Sequence, residues 1–213
     1  MTVLDGLRSV GLCCCSRVAC PRARPLAVTT CSRKFRLVRR RAAASISTTS
    51  PSTRRVYLSH GTEVKVVNAD SGDVVGTLTG LKRCHGVALV KEVGKGFITD
   101  GDAASVVVFD IASLKVTGQI KSQPDADSIL YDSVSKRVFT FNGDSKNSTV
   151  IDPAKGTVVT TVPLGGAPEQ AVADCIGLIY DNLEDTNEVI ALDSRTLQIK
   201  SRWPVAPAAA PVE

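Results

Sequence analysis

The chain reads as all-β, built from one four-stranded antiparallel unit repeated about four times, and three observations carry that reading. An aromatic residue recurs at Tyr57, Phe97, Phe139 and Tyr180, in steps of 40, 42 and 41 residues. A polar residue closing the next apolar run recurs at Asn68, Asp110, Asp152 and Asp193, in steps of 42, 42 and 41, so two independent markers keep one period. After Thr53 the apolar residues fall in strand-length runs between polar turns, with no helical periodicity of useful length. Four-stranded units of this length, apolar on both faces, stack radially as the blades of a β-propeller.

The first 53 residues stand apart from the repeat. Residues 1–55 hold 12 of the 26 Lys and Arg against the single acid Asp5, whereas residues 56–213 hold 14 basic and 20 acidic residues. The net charge of +5 therefore belongs to the N-terminus, and the repeat region carries no nucleic-acid signature. Arg, Ser and Ala dominate residues 1–53, including the run Arg39-Arg40-Arg41. That composition fits an organellar transit peptide, or residues read from a start codon upstream of the true one, and it predicts a disordered or poorly packed segment. Cys13, Cys14, Cys15, Cys20 and Cys31 lie there, leaving Cys84 and Cys175 as small buried or half-buried residues with neither disulfide nor zinc spacing. No stretch approaches 18 uncharged apolar residues, so no transmembrane helix is expected.

Residues 54–205 are the repeat, followed by an Ala/Pro tail at 206–213. The second unit has strands at Gly86–Val90, Gly96–Thr99, Val106–Ile111 and Val116–Ile120. The third strand of each unit lacks alternation (Val106-Val107-Val108-Phe109, Val150-Ile151, Val189-Ile190-Ala191-Leu192), which places it between two neighbouring sheets. The fourth alternates apolar residues with Thr, Gly or charge (Val74–Leu78, Val116–Ile120, Val158–Val162, Gln198–Trp203) and reads as the wet outer edge. The first unit lacks a convincing inner strand: one period before His85 lies AAASIST, a poor copy of HGVALV.

The tetrapeptides at the aromatic marker are Tyr57-Leu-Ser-His, Phe97-Ile-Thr-Asp, Phe139-Thr-Phe-Asn and Tyr180-Asp-Asn-Leu. With the texture of Val150-Ile-Asp-Pro-Ala-Lys-Gly-Thr-Val-Val, residues 55–205 resemble the YVTN-repeat β-propellers of the YncE type. The resemblance implies an exported, periplasmic protein of seven blades, often with no assigned reaction. A genuine transit leader implies a mitochondrion or plastid instead. The enzymatic cousins by fold include haem nitrite reductases and quinoprotein dehydrogenases, but no CxxCH or quinone-site pattern is recognisable, and no cofactor is identifiable. Residues 55–205 supply about 3.7 units, so the expectation is an incomplete, open arc. Its uncovered end faces would meet another copy of the chain or a missing half of the propeller.

In a blade, the loop before the inner strand and the loop after the second strand emerge together beside the central channel. The first loop set is His85, Asp127 and Glu169; the second is His60, Asp100 and Asn142. Together they form a possible ligand-binding crown, and His60 and His85, the only histidines, are the metal-ligating types among them. The competing reading is ordinary turn chemistry, since polar residues beside Gly make turns. Asp110, Asp152 and Asp193 repeat too strictly to be catalytic and read as turn caps. No phosphate loop, GxSxG, HExxH or EF-hand spacing is present, so no catalytic residue is assigned. The reading is a binding module of unknown ligand, against a fragment of an oxidoreductase-like propeller that holds a metal or redox cofactor at the funnel mouth. Trp203, in the last outer strand, reads as a hydrophobic cover.

Overall fold

The computed structural model of the chain describes residues 47–50 and 52–205. The leader up to residue 46 and the tail from 206 lie outside them. The described residues form four antiparallel four-stranded sheets, each in simple chain order. The first comprises β1 (Ser47–Ser50), β2 (Arg55–His60), β3 (Glu63–Asn68) and β4 (Val74–Leu78). The second comprises β5 (Cys84–Val90), β6 (Lys95–Asp100), β7 (Ser105–Asp110) and β8 (Val116–Lys121). The third comprises β9 (Ala126–Asp132), β10 (Arg137–Asn142), β11 (Asn147–Asp152) and β12 (Thr157–Pro163). The fourth comprises β13 (Pro168–Ala173), β14 (Leu178–Leu183), β15 (Glu188–Asp193) and β16 (Ile199–Pro204). The only helical turns described are two short 3-10 turns, Lys91–Val93 and Gly101–Ala103.

One expectation needs correction. The first sheet does have an inner strand: Ser47–Ser50 pairs with Leu58–Arg55, inside the stretch that composition assigns to the leader. Its sequence, STTS, has no apolar signature, so hydrophobic pattern alone could not show it. Thr48 Oγ1 also donates to the Val87 carbonyl of the next sheet at 2.6 Å, which adds a polar anchor to a strand of small side chains.

Packing proceeds from each sheet to the next. Tyr57 and Val66 of the first sheet meet Val107 and Phe109 of the second. Phe97 and Val108 meet Ile129, Val138 and Ile151 of the third, and Phe139, Phe141 and Val150 meet Ile179, Ile190 and Leu192 of the fourth. Each fully buried large side chain contributes about 1.5–3 kcal/mol. No packed strand pair joins the fourth sheet to the first among the described residues, so the four blades form an open arc. The third strands of the second and third sheets are buried on both faces and the fourth strands are largely exposed, as the missing and present alternations predict; β3 instead alternates, with Lys65 partly exposed.

Two repeated devices fix the sheets. Asn68, Asp110, Asp152 and Asp193 each accept backbone amide bonds from the turn that follows them, for example Ser113 N–H at 2.7 Å and Thr196 N–H at 2.8 Å. These bonds hold the Asp110, Asp152 and Asp193 carboxyls below the usual range, led by the Ser113 hydroxyl at Asp110 and by a backbone amide at Asp152 and Asp193. They are turn caps. The second device is a basic residue opening the second strand and reaching the following blade. Arg55 Nη1 donates to Ile111 O at 2.9 Å; Lys95 Nζ donates to Pro153 O and Ala154 O, both at 3.2 Å. Arg137 Nη1 donates to Ser194 O and Arg195 O at 3.5 and 3.4 Å. The equivalent position in the fourth sheet is Leu178, which has no such donor.

Candidate functional site

The polar end of the arc is built by strand polarity. The second strand of each blade ends where the inner strand begins, so the loops before β5, β9 and β13 meet those after β6, β10 and β14. Backbone bonds confirm it: Gly101 N–H donates to Arg83 O, Gly143 N–H to Asp125 O, and Glu184 N–H to Ala167 O, at 2.9–3.0 Å. The two loop sets therefore come together as expected, but their side chains do different work.

Asp100 and Asn142 are buried inside the scaffold. Asp100 accepts the backbone N–H of Lys82 and of Arg83, with distances of 2.8–3.1 Å, and so pins the loop entering β5. Asn142 sits in a buried network with Ser122, Thr140, Asn147 and Thr149. His60 ends β2 exposed and, by strand alternation, shares the face of Val56 and Leu58. No group of three or more His, Cys, Asp and Glu side chains is placed to hold a metal ion among the described residues.

The second residues of successive inner strands do meet. His85 Nδ1 lies 2.7 Å from Asp127 Oδ1, joining β5 to β9 across the blade boundary. The Asp127 hydrogen bond raises the His85 pKa, against partial burial and the nearby Arg83 cation. The other ring nitrogen, Nε2, is enclosed and has no hydrogen-bond partner. Charges of both signs line this end of the blades. Beside the pair, Arg83 Nε is 2.7 Å from Asp102 and its Nη2 pairs with Asp125; one blade boundary further along, Lys146 Nζ is 2.7 Å from Asp185 of the next sheet. These pairs tie loop to loop and leave a mixed-charge rim.

Glu169, third of the inner-strand set, is half-buried in β13 and faces a residue that the sequence reading passed over. Asp181 is 1% exposed, and the polar group at its carboxylate is the backbone amide of Asn182. Burial, then the negative charge of Glu169, pushes its pKa up to about 8. The signal was available: the second position of the marker tetrapeptide is Leu58, Ile98 and Thr140 in the other blades. A carboxyl stands where the repeat otherwise places a residue able to lie between sheets.

At the opposite end, a groove of about 470 Å³ runs between the first two sheets, lined by residues including Ser52, Arg55, Lys91, Asp110 and Ile111. Cys84 and Cys175 are buried and half-buried; burial raises the Cys84 pKa, which keeps it an unreactive thiol.

No family model matches the chain, and no curated protein matches it. Solved structures do. The chain is similar to Kuenenia stuttgartiensis hydrazine synthase, with a TM-score of 0.71 and 16% identity over 76% of this chain and 49% of that one. It is similar to dihydro-heme d1 dehydrogenase NirN in complex with DHE, with a TM-score of 0.64 and 10% identity over 75% of this chain and 36% of that one. A protein of unknown function from Bacteroides caccae gives a TM-score of 0.56 and 13% identity over 71% and 57%. The chain thus spans about half or less of the first and second of these, and somewhat more of the third. At these identities the likeness is one of fold, and the fold is the β-propeller.

Proposed function

We propose that this β-propeller chain is a binding module of the YVTN type, presenting the mixed-charge rim around His85 to a ligand and carrying no reaction of its own. The YVTN assignment is supported by the marker tetrapeptides, each of which starts at the third residue of the second strand of its sheet. The observation that carries the binding reading is the His85–Asp127 pair, which bridges two blades where their loops gather. Arg83, Lys146 and a protonated His85 offer donors; Asp102, Asp125, Asp127 and Asp185 offer acceptors. A rim of both signs suits a small zwitterion or a peptide terminus better than a single-sign polymer.

The test is a thermal-shift and calorimetric screen of the full chain with free amino acids and short unblocked peptides. A ligand at a hundred times its Kd stabilises by about 2.7 kcal/mol, and that shift should vanish in His85→Ala and Asp127→Ala. A screen in which no zwitterion shifts the wild type, or in which the variants respond like the wild type, ends this reading.

The second reading, an oxidoreductase-like propeller holding a metal or redox cofactor at the same end, draws support from the names of two structural neighbours, hydrazine synthase and dihydro-heme d1 dehydrogenase. His85 fits a ligand role poorly here, with Nδ1 spent on Asp127 and Nε2 enclosed. Elemental analysis and a visible spectrum of purified chain decide it: stoichiometric metal or a chromophore supports this reading, and neither being present sinks it.

A further inference from the structure

The chain makes the same sheet-to-sheet contact three times, and each contact has two halves. The half facing the next blade is centred on the marker aromatic: Tyr57, Phe97 and Phe139 are all 0% exposed beneath the following sheet. Beside it, Leu78, Ile120 and Val162 close the fourth strand at 2–8% exposure. In the last blade the same two positions hold Tyr180 and Trp203, which lie diagonally across β15, opposite Ala191 and Val189, and stack with ring centroids 6.3 Å apart and planes at 26°. Trp203 is 46% exposed and Val172 beside Tyr180 is 58% exposed. This half has no sheet over it among the described residues.

The other half, facing the preceding blade, has no sheet over it on the first sheet among the described residues. There β2 and β3 carry half-buried Val56 and Leu58 and buried Val67, the positions of Val138, Thr140 and Ile151 in the third blade. In its centre is Lys65, where the later blades have Val107, Thr149 and Ile190. Lys65 is held by Glu63 at 3.1 Å on the same face and stays partly exposed.

Both end faces thus depart from the internal pattern, and they depart in complementary directions. One gains an aromatic pair in place of Tyr or Phe beside an aliphatic residue; the other gains a cation opposite the place where that pair would lie. A lysine over stacked Trp and Tyr is a cation–π contact, and a lysine on a sheet face also disfavours stacking two first blades together. The basic latch is absent from the last blade, where Leu178 stands, so this contact rests on side-chain packing alone and is weaker than the internal three.

We propose that two copies of the chain associate head to tail, the Tyr180–Trp203 face of each covering the Val56–Leu58–Lys65 face of the other, to close a two-fold ring of eight blades. Eight lies within the range in which propellers close, and a two-fold arrangement repeats the contact twice, which a single heterologous contact would not close.

The experiment uses the full chain. Light scattering should give twice the 22.5 kDa chain mass as concentration rises. Trp203 is the only tryptophan, so its emission should move to shorter wavelength over the same range. Trp203→Asp, at an exposed position, and Lys65→Glu, at a partly exposed position on the opposite end face, should each give monomers with unchanged circular dichroism. Mixed together they should recover a dimer, because each retains the half that the other has lost. A wild type that stays monomeric with unshifted emission overturns the proposal, as does a ladder of larger species. So do single variants that dimerise like the wild type, or a mixture that stays monomeric, which would indicate a face-to-face contact instead.

Discussion

Replacing Asp181 should change how stability depends on pH, and the sign and size follow from its surroundings. The unfolded chain ionises this carboxyl near 3.8, and the folded chain near 8. Below pH 4 both states carry the proton and the group is neutral in its effect. Between pH 4 and 8 the folded state keeps a proton that the unfolded state has lost, so stability falls as pH rises, and above 8 the full penalty is present. A displacement of about four units at 1.36 kcal/mol each sets a ceiling of about 6 kcal/mol; relaxation and water entry would bring the effect to about 2–3 kcal/mol, in line with an effective dielectric well above that of dry protein. Asp181→Leu, which installs the residue found at position 58, removes both the ionisation and a buried carboxyl. Urea unfolding midpoints from pH 4 to 9 should fall for the wild type by that much more than for the variant, with the gap opening between 4 and 8. Asp181→Asn should flatten the profile equally while keeping a buried amide. Parallel curves for wild type and both variants across that window would show that Asp181 is not held neutral, and the account of its burial would be wrong.

His85 titrates with the opposite partner and gives a second pH test. Its raised pKa means that the pair's contribution is fully present below about 6.5 and is lost as pH rises through the folded value. Asp127→Asn should therefore cost about 1 kcal/mol at pH 5.5 and less at pH 9, read from the same urea curves. Gly96 lies against the Phe109 ring so closely that a Cβ there would overlap it; the other blades carry Val56, Val138 and Ile179 opposite Val67, Ile151 and Leu192. Gly96→Val should cost about 1–3 kcal/mol by overpacking, and adding Phe109→Leu should recover much of it; additive losses in the double variant would refute the size exchange. Arg55→Ala should lower stability by about 1 kcal/mol through loss of the bond to Ile111 O, whereas Leu178→Arg, with no following blade among the described residues, should change stability little.

Much of this was legible in the sequence because a repeat states each rule several times. Third strands without alternation had to be covered on both sides, and Asp110, Asp152 and Asp193 had to be caps, since a reactive group is not needed once per blade. Other features stayed hidden for identifiable reasons. The β1 residues are Ser and Thr, held by ladder bonds and the Thr48–Val87 contact rather than by apolar area, so hydrophobic pattern missed the strand. Asp100 and Asn142 sit at loop positions that sequence treats as wet, yet their oxygens are occupied inside the scaffold. Asp181 and the basic latch were visible in the repeat itself, the latch at steps of 40 and 42 residues, but only to a reader asking which positions break or keep the period away from its strongest markers.

The latch has one further consequence. Its donor always sits on the earlier blade and its acceptor on the turn of the later one, from Arg55 to Ile111, Lys95 to Pro153 and Arg137 to Ser194. The stack is therefore vectorial, like a row of hooks that all engage forwards. A unit duplicated, deleted or transplanted within such a row keeps its fastenings only if it enters in the same direction, so the gene can lengthen or shorten by whole repeats without redesigning any joint.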